Sequence, residues 1–207
     1  MVILGRVLIT PKTAIVDSAR GRGNVVSLTF DDGPNPADTD QLLAVLRRHR
    51  VRAVFCLGGD RANEHPDIVR RIVAARHILG NHGMHHDDMS GWTTGHIEAD
   101  LRETDAAIRR AVPDARIPYF RAPFGAWGRT PEVAVRLGMR PLGWRLGVAD
   151  WETPGTDVLV GRLEAGITAG AVVLLHDGGG DRSQTVDAVD RIIPGLRANG
   201  WRFTLHA

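Results

Sequence analysis

Cysteine is almost missing from this chain of 207 residues: Cys56 stands alone. A single thiol excludes an internal disulfide framework and a cysteine-built zinc knuckle. It lies in the apolar run Ala53-Val54-Phe55-Cys56-Leu57, where a thiol behaves as a small buried hydrophobe. Long apolar runs are missing too, and none approaches the roughly 20 residues that span a bilayer. The N-terminal stretch Val2 to Ile9 is interrupted by Arg6 and lacks the basic start, long apolar centre and small-residue cleavage site of a secretory signal. A cytoplasmic, membrane-free protein is expected. An excess of one charge is also lacking, since 26 Lys and Arg face 24 Asp and Glu for a net charge of +2. Nearly all the basic residues are arginines scattered through helical segments, without the clustering and interleaved aromatics of a nucleic-acid surface. Internal repeats, low-complexity tracts and linkers rich in Pro, Gly and Ser are absent. With 43% hydrophobic residues, a chain of this length is expected to form one domain around one core, as a monomer.

What is present is alternation. Short runs rich in β-branched residues predict strands at Val25 to Phe30, Ala53 to Leu57, Ile78 to Asn81, Pro118 to Arg121, Met139 to Trp144, Ala171 to His176 and Trp201 to Leu205. Helix-period segments lie between them at Asp38 to His49, Pro66 to Ala75, Gly95 to Ala111, Pro131 to Leu137, Asp157 to Ile167 and Thr185 to Ala198. In the third of these, Ile97, Leu101, Ala107 and Ile108 approximate one apolar stripe. Repeated βα units predict an α/β fold with a parallel sheet, either a distorted barrel of seven βα units or an open doubly wound sheet. Residues 1–23 fall outside the repeat and are expected to pack on the barrel floor or an edge, leaving 24–207 as the catalytic domain.

Several predicted strands run straight into residues that bind metals or move protons: Asp31 and Asp32, His82, Arg121 and His176. In a parallel barrel the carboxyl ends of the strands share one rim, so these residues would converge. Asp31-Asp32-Gly33-Pro34 alone reads as a turn with a capping Asp. Two adjacent carboxylates at a buried strand end, however, repel each other unless a cation compensates. In His82-Gly83-Met84-His85-His86, two imidazoles four apart would project from one side of a helical turn and could share an ion with a carboxylate; the pair His82 and His85 fits a helical turn as well.

These segments resemble a known family. Thr29-Phe30-Asp31-Asp32-Gly33-Pro34, Asn81-His82-Gly83-Met84-His85-His86, Arg121-Ala122-Pro123-Phe124-Gly125, Asp150-Trp151 and Leu174-Leu175-His176-Asp177 are similar to the five ordered motifs of polysaccharide deacetylases, the NodB-homology or family 4 carbohydrate esterases. The resemblance implies one divalent ion, zinc foremost with cobalt or nickel as alternatives, on Asp32, His82 and His86. It implies Asp31 as general base held by Arg121, and His176 as general acid oriented by Asp150. Pro123 and Phe124 would border the substrate, the Phe124 backbone N–H stabilising the oxyanion, with Trp151 packed beside His176. Trp127 and Trp92 are further candidates for stacking on a sugar, with core packing equally open.

The implied reaction is removal of acetyl groups from an N-acetylated amino sugar such as a chitooligosaccharide. An acetylxylan-type O-deacetylase, an N-deacetylase of a small metabolite and a sugar-binding relative without turnover are the alternatives. The chain departs from the family pattern at Gly83, Asp87 and Gly147, and Phe124 replaces a frequent Tyr. Loss of a hydroxyl at Gly83 is expected to loosen the histidine loop. The glycines of Gly178-Gly179-Gly180-Asp181-Arg182 read as mobility or close substrate approach.

Overall fold

The computed structural model describes residues 14–204. The expectations for residues 1–13 and for Leu205 lie outside the described residues. The chain runs β1 (Val25–Asp31), α1 (Pro36–Arg48), β2 (Val54–Leu57), α2 (Gly59–Glu64), α3 (Pro66–Ala74), β3 (Ile78–Asn81), α4 (Thr94–Ala111), β4 (Tyr119–Phe120), α5 (Thr130–Arg136), β5 (Arg140–Pro141), β6 (Leu146–Gly147), α6 (Thr156–Gly166), β7 (Ala171–His176), α7 (Ser183–Ala198) and β8 (Arg202–Phe203).

All ladders between these strands are parallel, and the sheet order is β5-β4-β3-β2-β1-β7-β6, with β8 paired to the start of β1. Successive strands add in one direction from β1 to β5, and β7 and β6 return along the other side of β1. That is the winding of a barrel opened at one seam, not the reversal at a switch point that a doubly wound sheet requires. The seam lies between β5 and β6, where the expected fifth strand, Met139 to Trp144, is cut short: only Arg140–Pro141 pairs with β4, and the unexpected strand Leu146–Gly147 pairs with β7. Residues before β1 partly fill this gap, since Val16 bridges to Leu142 and Ser18 to Ala171.

The period-2 alternation of β1 explains both cores. Val26, Leu28 and Phe30 face the helices with Phe55, Leu57 and Leu79, whereas Val54, Cys56, Tyr119, Leu142 and Val172 form a smaller cluster on the opposite face. Ser27, Thr29 and Asp31 share that second face of β1 and are buried, so the barrel interior contains polar groups that need partners. The helices cover the outside. On α1, Leu42 and Leu46 are buried one turn apart, and Arg47 and Arg48 occupy the last turn where they complement the helix dipole. On α4, Thr93 caps the first turn by accepting from the His96 N–H at 3.3 Å, and Ile97, Leu101, Ala107 and Ile108 are buried as the stripe requires. No helix among the described residues is long and apolar enough to cross a membrane.

Leu46 is fully buried between α1 and the sheet. Leu46→Ala should therefore destabilise the fold by about 2–5 kcal/mol, seen as a lower urea midpoint with an unchanged slope; an unmoved midpoint would contradict this packing.

Candidate active site

Asp31 ends β1 with its side chain inside the barrel, where it meets Arg121. The Arg121 guanidinium is fully buried and donates to Asp31 Oδ1 at 2.7 Å, Thr29 Oγ1 at 2.9 Å and the carbonyls of Leu142 and Gly143 at 3.0 and 3.1 Å. A buried cation is tolerated only with such pairing to a carboxylate and further acceptors. The Arg121 carbonyl lies 2.8 Å from His82 Nδ1. That bond makes Nδ1 the protonated nitrogen and turns the Nε2 lone pair toward the rim.

Beyond Asp31 the backbone turns sharply. Asp32 has a left-handed φ of 69°, which swings its carboxylate over the rim. Its Oδ1 lies 3.2 Å from His82 Nε2 and 3.3 Å from His86 Nε2, and all three ligand atoms fall within 4.8 Å of one another. Oδ1 is buried with no hydrogen-bond partner. An unpartnered carboxylate oxygen facing two imidazole nitrogens is what a divalent cation with nitrogen and oxygen ligands needs, with positions left for other ligands. Burial would raise the Asp32 pKa, but contact with His82 and the charges of His82, His176 and His86 outweigh it and hold the carboxyl well below the usual range.

The histidine loop differs from the expected helical turn. Residues 82–86 are irregular, and positive φ values of 78° at Gly83 and 59° at His86 bring the two imidazoles together. His85 faces away, exposed, 4.0 Å from Asp60 Oδ2, and only Asp32, His82 and His86 cluster among the described residues. Gly83 does not loosen this loop. Its N–H donates to Asn81 Oδ1 at 3.0 Å and that of Met84 to Asp100 Oδ1 at 3.0 Å. The amides of Gly59 and Asp60, opening the unexpected α2, donate to the carbonyls of Gly83 and Met84. A Cβ at Gly83 would meet Met89 at 2.9 Å in addition to its unfavourable φ, so glycine suits this backbone. Asp87 is exposed and outside the cluster.

Opposite the histidine loop stands His176, the register partner of Asp31 across β1 and β7. Asp150 Oδ1 lies 2.8 Å from its Nδ1, while Asp150 Oδ2 accepts the His176 N–H at 2.8 Å and the Thr185 hydroxyl at 2.9 Å. Burial opposes the charged imidazole, but the Asp150 bond and charge, with Asp31 and Asp32 adding, push its pKa above the ordinary value. Trp151, 50% exposed, sets its ring edge against His176 with centroids 5.3 Å apart.

A cavity of about 570 Å³ is lined by Asp31, Asp32, His82, His86 and His176 together with Trp151, Leu174, Trp144 and Phe124. A second of about 700 Å³ shares Asp32, His82 and His86 but is polar beyond them, with Asn35, Asp60 and Asp181. Phe124 has a φ of 58°, is 71% exposed and stands edge-on to His86 at 4.4 Å. Pro123 is buried in the same short 3-10 turn and does not line the cavity. Trp127 is not brought to it either: half-buried against the core, it lines a neighbouring groove with Ile15 and Trp144. Trp92 stacks on His96 at 3.9 Å.

No role was expected of Trp144, Asp177 or Arg182. Trp144, the last residue of the expected fifth strand, lies 5.7 Å from the Arg121 guanidinium carbon. Arg182 is buried and donates to the carbonyls of Gly178, Gly179 and Asp181, so the glycine loop is braced. Its glycines serve close packing against the Asp32 turn: a Cβ on Gly178 would come within 2.0 Å of the Asp32 carbonyl oxygen. Gly33 faces Asp177 in the same way, at 2.3 Å.

Fold and rim define an open parallel (β/α) barrel carrying a three-ligand site able to take one divalent cation. The chain belongs to the polysaccharide deacetylase family, whose model matches residues 18–142. It is 39% identical over 197 residues to a chitooligosaccharide deacetylase of Rhizobium leguminosarum bv. trifolii, covering 89% of this chain and 91% of the relative. Among solved structures it resembles a peptidoglycan N-acetylglucosamine deacetylase crystallised with a hydroxamate-type ligand (TM-score 0.86, 29% identity, 91% and 89% of the two chains). It also resembles a family 4 pseudoenzyme from Bacillus anthracis (TM-score 0.85, 27% identity, 92% and 66%).

Asp177 generates a test of this packing. It is fully buried, accepts from Thr39 Oγ1 at 2.6 Å and leaves Oδ1 without a partner. Burial, with the charges of Asp32 and Asp31 adding, pushes its pKa up to about 7 despite the Thr39 bond. An unfolded Asp titrates near about 3.9, so between these values the native state holds a proton that the unfolded state has lost. Stability from this group is therefore lost as pH rises from about 4 to about 7. Asp177→Asn, a neutral isostere, should flatten that slope in urea midpoints measured across this range; an identical slope would refute the assignment.

Proposed function

We propose that this chain hydrolyses the acetamide of an N-acetylated amino sugar within a short chitooligosaccharide-like chain, releasing acetate and a free amine. The observation that carries the reading is the facing pair Asp31 and His176, aligned across β1 and β7 and lining one cavity with Asp32, His82 and His86. Similarity to the Rhizobium chitooligosaccharide deacetylase and to a peptidoglycan N-acetylglucosamine deacetylase supports the substrate class. Cytoplasmic placement, a monomeric state and the division into an extension at 1–23 and a catalytic domain at 24–207 belong to the same proposal.

Asp32, His82 and His86 would hold the divalent ion, zinc foremost with cobalt or nickel able to substitute, and the ion would supply Lewis acidity toward water and the acetyl carbonyl. Asp31, anchored through Oδ1 by Arg121, keeps Oδ2 to accept the proton of the attacking water. As water adds to the carbonyl carbon, negative charge grows on its oxygen, and the Phe124 N–H, beside the ligands in a left-handed turn, would stabilise it. His176 bonds to Asp150 through Nδ1, so Nε2 donates a proton to the amide nitrogen as the C–N bond breaks. Trp151, Trp144 and Leu174 give the acetyl methyl an apolar wall.

The likeness to a pseudoenzyme favours one other reading, glycan binding without turnover. Intact pairing of Asp31 with Arg121 and of His176 with Asp150 weighs against it. The discriminating measurement is acetate release from N-acetylglucosamine oligomers and from acetylated xylan. Oligomers should be substrates, a chelator should abolish turnover and zinc, cobalt or nickel restore it, and Asp31→Asn should lower the rate by about 10²–10⁴-fold with metal content unchanged. Release from xylan alone would overturn the amide reading, and an inactive wild type that binds oligomers tightly would overturn the enzyme.

A second expectation concerns pH. His176 must be protonated to donate, so the rate falls as pH rises through its raised pKa. Asp150→Asn removes the largest influence raising that value, and the falling limb of kcat/KM should move to lower pH; an unmoved limb would assign it to another group.

A further inference from the structure

The opposite end of the barrel, where the strands begin, holds another cavity of about 400 Å³, lined by Arg50, Arg52, Arg197 and Arg202 with Trp201 and Phe203. Four elements deliver these arginines. Arg50 follows α1, Arg52 leads into β2, Arg197 ends α7 and Arg202 lies on β8. Among the described residues, no acidic side chain lines the cavity. Several other surface arginines are paired, Arg48 with Asp190, Arg71 with Asp40 and Asp67, and Arg191 with Asp157. The four at the floor have no ion-pair partner among the described residues.

A cation in the last turn complements a helix dipole, which accounts for Arg197. It does not account for Arg52 and Arg202, which belong to strand starts. Arg50 keeps a left-handed φ of 50° at a post-helical position that favours glycine, so a cation is placed there at a conformational cost. Two of the guanidiniums are already oriented: Arg202 donates to the Arg22 carbonyl at 2.6 Å, and Arg197 sits 5.9 Å from the Phe203 ring centroid. Nearby, burial and then the Arg52 charge push His77 down to about 4, in keeping with a positive local field. Planar guanidinium forks match the oxygens of a phosphate, and several around one cavity repel each other until an anion joins them.

We propose that this floor cavity is a phosphate-binding site, accepting a phosphate-bearing anion that is either free in solution or the headgroup of an anionic lipid. It lies a strand length, on the order of 20 Å, from the catalytic rim, so an occupied floor leaves the cleft open. An anionic surface bound there would leave the cleft facing away from it.

The test uses the full chain at low salt. Inorganic pyrophosphate is titrated calorimetrically, and co-sedimentation is measured with vesicles of phosphatidylcholine alone and with about one third phosphatidylglycerol. The double variant Arg52→Glu with Arg197→Glu is compared, with acetate release confirming that the opposite rim remains folded. Pyrophosphate binding that weakens at least about tenfold in the variant, about 1.4 kcal/mol, supports the proposal with a soluble source. Sedimentation that needs phosphatidylglycerol and fails in the variant supports it with a lipid source. Wild type that binds neither, or a folded variant that binds as wild type does, overturns it. Should the charge reversals prevent folding, Arg52→Gln with Arg197→Gln reads the same contrast.

Discussion

The site depends on a cation placed where water cannot reach it. Arg121 is fully buried inside the barrel, and its desolvation is offset because all three guanidinium nitrogens donate to acceptors, one of them a carboxylate. Those acceptors belong to two parts of the chain: Thr29 and Asp31 on β1, and Leu142 and Gly143 at the open seam. The same residue's carbonyl fixes His82 through Nδ1. One side chain and its own backbone therefore set the position of the proposed base and the tautomer of a proposed metal ligand. The seam residues are in turn held by the segment before β1, where the Val16 N–H donates to the Pro141 carbonyl and the Gly143 N–H to the Val16 carbonyl. Loss of that strap would be felt at Arg121 before it was felt at the rim.

Backbone strain concentrates where the chemistry is. Asp32, His86 and Phe124 all adopt left-handed φ, at 69°, 59° and 58°, conformations that cost non-glycine residues free energy and persist only when their surroundings over-determine them. Here the surroundings are identifiable. The α2 amides hold the histidine loop through the Gly83 and Met84 carbonyls, and Arg182 holds the glycine loop against the Asp32 turn. Gly33 and Gly178 let the two loops approach to distances that no Cβ would allow.

These braces also mark what was legible in the sequence. Strand ends carrying Asp31, Asp32, His82, Arg121 and His176 were readable because parallel strands deliver their last residues to one rim, and β-branched runs announce parallel strands. The stripe on α4 was readable because it spans five turns. By contrast, α2 is six residues of mostly polar sequence with no period to detect, and it exists because its first amides find the carbonyls of a loop distant in sequence. The fifth strand seemed continuous from Met139 to Trp144, but Arg121 takes the Leu142 and Gly143 carbonyls that a ladder would have used. The helical turn expected at His82 to His86 failed because Gly83 and His86 take left-handed φ of 78° and 59°, outside the right-handed helix, while the α2 amides take the Gly83 and Met84 carbonyls. Asp177 stayed hidden because a carboxyl buried without a cation has no local sequence signature.

The triad stands on a divide. On one side the cleft carries the polar side chains Asn35, Asp60 and Asp181; on the other stand the apolar Leu174, Trp144 and Trp151. A molecule that fits both sides must be polar through most of its length and carry a small apolar group near the point where it crosses the ligands. A sugar bearing an acetyl group has that distribution, its hydroxyls suited to the polar side and its methyl to the aromatic wall. A simple ester of an apolar alcohol would instead leave Asp60 and Asp181 desolvated against carbon, which is unfavourable unless water remains between them. On the proposed reading, selectivity for the body of the substrate would come from the polar side chains of the cleft, and reactivity from the line where Asp31 and His176 face each other across β1 and β7.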